Sequence, residues 1–398
     1  MKVLLSAYAC RPAAGSEPGV GFETLMAIAS KHDVWVLTRT KNAEALCQFL
    51  QNHPCGSRVR ILPLDLSPRH LAMKKWLRAI GLQYYYERWQ SAALDIATEL
   101  HSQIGFDIAH HVTFSADWSK AGVAPLDTPF VWGPIGGGVE TPVRLLSALG
   151  WRGIGSELGR RLGRSLMRRR PWYREAWKAA RVVLVQNQET GELGPSTTVR
   201  RLLPNSTAIS PPQLAKGFDR TNEILVVGRL IPWKGGVLAL KAFSQTSEVD
   251  SQLVFIGEGP ERRRLEQMGR RLGIHERVRF EGSVPREVVL ERVARAGVFL
   301  HLAVHEENSM AVGEALSLGT PVVCLDWGGP PELLRQWPES PGKAIAATGV
   351  RSTTAAAAEA IDKFLQNPPP IPGEPLLPRT SYRTTLMSAY EEAADSSS

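Results

Sequence analysis

The sequence predicts an α/β protein built from two doubly wound, Rossmann-like domains, and three observations carry that expectation. Its 398 residues exceed what one core holds, since a single domain is ordinarily about 150 residues. Short apolar strands alternate with helices through the first half, the signature of an open parallel sheet. After Pro211-Pro212 the alternation begins again.

Strands are expected over 2–8, 33–38, 58–64, 106–111, 129–132 and 182–186, with helices over 19–30, 42–50 and 91–102. The second series reads EILVVGRL (223–230), QLVFIG (252–257), RVRFEG (277–282), VFLHLA (298–303) and PVVCL (321–325), with helices over 237–245 and 310–318. The Pro-rich run 367–378 reads as a helix-free connector and 380–394 as a last helix. The chain then divides into a first domain over 1–205 and a second over 212–378, with a ligand expected in the cleft between them.

No stretch approaches the roughly 18 continuous apolar residues of a membrane span. The opening MKVLLSAYAC reads as a buried first strand, not a signal peptide. Cys10, Cys47, Cys55 and Cys324 lack the paired spacing of a zinc site and are too few for a disulfide framework, so a cytosolic protein with free thiols is expected. The net charge of +8 is confined to the first half, where residues 1–190 hold 24 Lys and Arg against 15 Asp and Glu. Two segments, 67–89 and 151–181, mix Arg and Lys with Trp, Tyr and Leu at helical spacing. That composition suits helices lying on an anionic membrane surface. A solvated basic face is the alternative; a nucleic-acid partner is disfavoured because no matching signature accompanies the charge.

The most informative motif is HEENSMAVGEALSLGTP, His305 to Pro321, a Glu-x7-Glu pair around a helix start. Glu306 falls in a loop at the carboxyl end of a strand, where doubly wound sheets bind ligands, and Glu314 in the first turns of the following helix. The two carboxylates suit sugar or ribose hydroxyls, while amides at Ser309, Met310 and Ala311 suit an anion. The bland reading is that both glutamates simply favour a helix start. Upstream, a strand ends in Gly228-Arg229, and Lys234 with a Gly pair follows just before a helix, a pyrophosphate site or else a turn with two solvated cations. Near the start, Gly15, Glu17, Gly19 and Gly21 form a glycine-rich turn without the P-loop Lys, which disfavours ATP or dinucleotide binding. WGPIGGG (132–138) reads as a mobile cleft loop or as a site of tight packing. His110 and His111 close a strand and point to opposite sides of it, His111 being nearer the edge. No Asp-x-Asp occurs, so no metal-bridged diphosphate is expected.

Taken together, VGRLIPWKGG, FIGEGPERRRLE, RVRFEGSVP, the Glu-x7-Glu run and GGPPE up to Glu332 resemble the retaining family 4 glycosyltransferases of GT-B fold. The resemblance implies two Rossmann-like domains facing a deep cleft, with the last helix, within 380–398, crossing back onto the first. It implies a nucleoside-diphosphate sugar as co-substrate, with no metal or other cofactor. Arg229 and Lys234 would meet the diphosphate, Val284 the base, Glu314 the ribose, Glu306 the transferred sugar, and the backbone at Ser309, Met310 and Ala311 phosphate and sugar. Gly15, in the glycine-rich first turn, joins the donor-binding set, and His111, His110 and Glu306 are the catalytic candidates. Asn308 and Ser309 stand where the family signature carries an aromatic residue and a glycine, and adjacent histidines replace its His-x-His. The expected activity is hexosyl transfer to a lipid-linked or other oligosaccharide acceptor of a bacterial surface polysaccharide, by a cytoplasmic protein peripheral on the inner face of the membrane. A soluble acceptor, or a sugar-nucleotide binder without catalysis, are the alternatives.

Overall fold

A computed structural model describes residues 1–12, 14–76, 78–114, 116–208 and 219–395. The Pro211-Pro212 restart lies outside the described residues. Two compact units are present, one comprising Met1–Gly138, Arg164–Ile209 and Ser381–Ser398, the other Val139–Gly163 and Ser210–Thr380.

In the first unit, strands β1 (Lys2–Ser6), β2 (Asp33–Thr38), β3 (Val59–Pro63), β4 (Ile108–His111), β5 (Phe130–Ile135), β6 (Ala180–Val185) and β7 (Val199–Leu202) form one parallel sheet. Its order is β3-β2-β1-β4-β5-β6-β7. Helices α1 (Ser16–Ala29), α2 (Thr40–Leu50), α3 (Pro68–Trp76), α4 (Arg78–Ile104), α6 (Pro171–Ala179) and the single turn α7 (Gln188–Gly191) belong to it, as does the last turn of α5 (Gly150–Arg168), whose residues up to Gly163 group with the second unit. Val3, Leu4 and Leu5 are all fully buried, because a parallel strand is covered on both faces, and each such side chain contributes about 1.5–3 kcal/mol.

The second unit repeats the design in order β10-β9-β8-β11-β12-β13. Its strands are β8 (Glu223–Val227), β9 (Gln252–Ile256), β10 (Val278–Gly282), β11 (Val298–His301), β12 (Val322–Leu325) and β13 (Gly342–Ile345). Helices α8 (Gly236–Phe243), α9 (Arg262–Arg271), α10 (Arg286–Arg295), α11 (Met310–Ser317), α12 (Gly329–Gln336) and α13 (Val350–Gln366) join and cover them. The last helix, α14 (Tyr382–Asp395), packs on the first sheet and on α1 through Tyr382, Leu386, Tyr390 and Ala393. The spacing of these residues puts them on one helical face, and the Tyr382 hydroxyl bonds Thr24 Oγ1 at 2.7 Å.

Residues Val139–Gly163, read from the sequence as first-domain chain, group with the second unit. There Arg264 Nη1 donates to Leu149 O at 3.0 Å, and Trp327 Nε1 to Glu140 O at 2.7 Å. Strands β7 (VRRL) and β13 (GKAI) were not expected; edge strands with Arg, Lys and Gly carry too little apolar character to be read.

Candidate functional site

The second unit gathers its polar residues at the carboxyl ends of β8 and β11. β8 leads into Gly228, with φ 141°, and then Arg229, whose exposed guanidinium makes no ion pair among the described residues. The turn continues through Lys234 to Gly235, left-handed at φ 77°. A Cβ on Gly235 would stand 1.9 Å from Leu302 O. Only glycine lets this turn lie against the chain leaving β11.

The loop after β11 returns Glu306 to this turn. Its carboxylate accepts from Lys234 Nζ, and His301 Nε2 lies 3.3 Å from Oε2. Burial alone would raise the Glu306 carboxyl, but His301 and the Lys234 ammonium outweigh it and hold the group down to about 2. Glu306 is therefore an anion at any ordinary pH. A pocket lined by Val227, Gly228, Arg229, Lys234 and His301 opens here. His301 was not singled out in the sequence, although a histidine closing the apolar strand VFLH was the available signal.

Ser309 caps α11, its Oγ accepting from Val312 N at 3.4 Å. Met310 and Ala311 open that helix, so their amides belong to the first turn that has no intrahelical acceptor. Asn308 has both side-chain polar atoms buried without a partner, an arrangement that costs about 1–3 kcal/mol per group unless a ligand meets it. Glu314, one turn into α11, accepts from Arg286 Nη1 at 2.5 Å. Burial raises its carboxyl against that cation. Val284 packs with the apolar cluster under α10 and α11. The structure thus brings Lys234 and Glu306 together, and pairs Glu314 with a residue the sequence reading omitted.

In the first unit β4 places the two histidines differently. His110 Nδ1 is 2.7 Å from Tyr390 Oη and Nε2 is 2.7 Å from Gly133 O, so both ring nitrogens are committed within the fold. His111 Nε2 is 3.0 Å from Tyr86 Oη, and the Thr113 backbone also acts on its ring. Burial lowers His110 to about 4 and His111 to about 3, so both rings are neutral at pH 7. Gly15 precedes α1 in extended backbone with open space about it, whereas Gly21 is a packing glycine whose Cβ would meet Ala9 O at 2.2 Å. The WGPIGGG segment is tightly held. Arg168 forks onto the fully buried Asp117 and also donates to Gly137 O at 2.8 Å, and Gly138 N bonds Thr190 Oγ1 at 3.1 Å.

Helix α5 turns the usual amphipathic arrangement outward. Trp151, Leu158, Leu162 and Leu166 are exposed, Trp151 to 78%. Arg161 and Arg168 instead bind Glu157 and Asp117. Trp76, at the end of α3, is exposed to 82%. Among the described residues no helix is long and apolar enough to cross a membrane.

Comparison with known proteins places these observations. The model of a family described as glycosyl transferases group 1 matches residues 214–376. A human phosphatidylinositol N-acetylglucosaminyltransferase chain is 36% identical over 113 residues, 28% of this chain and 23% of that protein. The match therefore spans about a quarter of that relative's length. Sucrose-phosphate synthase from Thermosynechococcus elongatus superimposes with a TM-score of 0.56 at 17% identity, covering 99% of this chain and 94% of the other. HepE of Anabaena in complex with UDP gives 0.51 at 16% identity, covering 98% and 99%. The fold of two parallel-sheet domains is that of GT-B glycosyltransferases.

Proposed function

With residues 214–376 forming a domain of the glycosyl transferases group 1, we propose that this protein is a retaining, metal-independent glycosyltransferase. It moves a hexose from a nucleoside-diphosphate sugar to a lipid-linked saccharide acceptor of a bacterial surface polysaccharide. The observation that carries the donor half is the pairing of Lys234 with Glu306 beside the pocket that Arg229 and Lys234 line, in the loop that runs from β11 to the capped start of α11. A diphosphate there meets the Arg229 fork, the Lys234 ammonium and the first amides of α11, three preorganised donors of the kind that stabilise a leaving group's charge. Glu314 takes the ribose, Val284 lies beside the base, and Glu306 with the orphaned Asn308 amide takes the transferred sugar. Gly15 leaves room at the head of α1.

Retention requires no protein nucleophile when the departing diphosphate itself draws the proton from the acceptor hydroxyl. Glu306, already bonded to Lys234 and close to His301, suits substrate binding better than attack. On the first unit His111, last residue of β4, is the histidine assigned to substrate, while His110, hydrogen-bonded at both ring nitrogens, pins β4 to α14 and β5. The lipid-linked acceptor and a peripheral place on the inner membrane face are supported by the exposed Trp76 and by the leucine face of α5. The name of the human relative, which includes phosphatidylinositol, is consistent with lipid-linked chemistry.

The test is a thermal-shift panel of UDP-, GDP- and ADP-sugars with EDTA present, run beside Arg229→Ala. Stabilisation by one donor, lost in the variant, is expected, followed by NMR of the product showing the donor's anomeric configuration kept. No response to any donor, or an inverted product, would refute the reading.

A further inference from the structure

The carboxyl edge of the first sheet holds a charge arrangement that the donor reading leaves unused. β1 leads to Tyr8, β2 to Arg39 and β3 to Asp65, while β4 ends in His111. Lys74 comes in from α3, donating from Nζ to Tyr8 Oη at 2.9 Å and lying 4.8 Å over the Tyr85 ring. The Arg39 guanidinium stands 5.5 Å from the Tyr8 and Tyr85 ring centroids alike. Tyr8 packs edge-on against Tyr86 at 5.3 Å, and it is Tyr86 that holds His111. The cations and the candidate catalytic histidine therefore share one aromatic floor.

Positive charge in this cluster is matched only in part, by Asp65 and by Glu17, whose charge reaches Tyr86. Asp65 serves Arg39 at 2.9 Å and also accepts from Tyr85 Oη at 3.1 Å. Lys74 has no carboxylate partner among the described residues, and the charges acting on it are Arg39, Lys41 and the distant pull of Asp65. Half-buried cations on aromatic faces are tolerated, since the ring quadrupole offsets part of the lost hydration. The remaining imbalance suits a dianion: a guanidinium fork, a point-charge ammonium and a phenol that accepts from Lys74 and retains its own O–H. Open α/β sheets bind ligands at this edge.

We propose that Tyr8, Arg39 and Lys74 form a subsite for a phosphate or pyrophosphate group carried by the acceptor, next to the hydroxyl that His111 addresses. The proposal rests on reading the first unit as the acceptor side. Its chemistry is the phosphoryl group, shared by a lipid diphosphate and a soluble sugar phosphate.

The experiment is NMR of the full chain with its lysines 13C-dimethylated, Lys74 being assigned through Lys74→Arg. Burial, then Arg39 and Lys41, place the Lys74 ammonium near about 8, so its resonance titrates in an accessible range. Millimolar inorganic pyrophosphate is expected to raise that midpoint by about one pH unit or more, a tenfold tighter hold on the proton, with exposed Lys343 unmoved. Arg39→Gln should abolish the response and Arg39→Lys should keep part of it. Phosphatidylcholine vesicles carrying phosphatidic acid form the second arm: a shift with them too assigns a lipid phosphate, a shift with pyrophosphate alone a soluble one. Lys74 unmoved while Lys234 responds would overturn the subsite and leave the donor reading standing. Lys74 responding while Lys234 is silent supports the subsite and counts against the donor reading.

Discussion

The Lys234 ammonium donates to the Glu306 carboxylate, so two residues that the sequence assigns to different parts of a ligand are partners in the fold. Removing either one strands the other. Lys234→Met should cost roughly 2–4 kcal/mol in kcat/KM, the range for loss of one preorganised donor. It should also raise the Glu306 carboxyl, because burial then meets less opposition. Folded Glu306 titrates far below its unfolded value of 4.5, so its contribution to stability is present above that value and is lost as pH falls from about 4.5 towards 2. Urea midpoints between about pH 3 and 7 should accordingly fall less steeply with acid in Lys234→Met than in the parent. An unchanged slope would show that His301 alone sets the Glu306 charge.

The two histidines of β4 should separate by readout. His111→Ala is expected to lower kcat by about 10²–10⁴, and because it leaves the buried Tyr86 hydroxyl without that ring it should also cost about 1–3 kcal/mol of stability, less than the loss at His110. His110→Ala removes a ring hydrogen-bonded at both nitrogens, which leaves the Tyr390 hydroxyl and Gly133 O buried without it. That change should cost about 2–4 kcal/mol of stability. Turnover and thermal melts on both variants decide the assignment, which reverses if His110→Ala stays stable and inactive.

The alternation of strands and helices was legible because both sheets are parallel and buried, so each central strand is a near-continuous apolar run such as KVLLS in β1 or EILVV in β8. The Glu-x7-Glu run was legible because a loop, a cap and a helix start follow one another in it, each with a local residue signal. What stayed hidden depends on distance in sequence. Nothing near residue 139 announces that Val139 N will donate to Glu307 Oε1 at 3.2 Å. Nor does the spacing of arginines in α5 say that Arg168 turns inward to Asp117 while leucines face out. Partner choice among buried charges follows from the assembled fold, and one chain's local pattern does not contain it.

Gly235→Ala should disable the donor turn without touching a charge. The residue is left-handed at φ 77°, and a methyl group would press to 1.9 Å of Leu302 O. Both strain and collision must be relieved by moving the turn that carries Lys234, at a cost of about 1–3 kcal/mol. The expected result is loss of the donor's thermal stabilisation with a modest drop in basal Tm. Gly15→Ala, with open space around the added methyl, should be nearly silent in the basal melt; a Tm loss equal to that of Gly235→Ala would overturn the distinction drawn between the two glycines.

The face of α5 sets what kind of membrane contact to expect. Leu158, Leu162 and Leu166 follow one another at intervals of four and are exposed alongside Trp151, whereas Arg161 and Arg168 are engaged within the fold. Charge on this helix is therefore partly consumed, and apolar insertion should carry more of the binding than the raw count of arginines suggests. Changing the three leucines together to Gln keeps helix propensity nearly unchanged. If each buries part of its side chain in the interface for about 1 kcal/mol, the triple change should weaken binding to phosphatidylglycerol-containing vesicles by roughly 100-fold. Replacing the exposed Arg169 and Arg170 by Gln should instead remove mainly the salt-sensitive part of binding. Co-sedimentation at low and high salt separates the two contributions. Retained vesicle binding by the leucine variant, with an unaltered melt, would mean that α5 keeps its apolar face for something other than lipid.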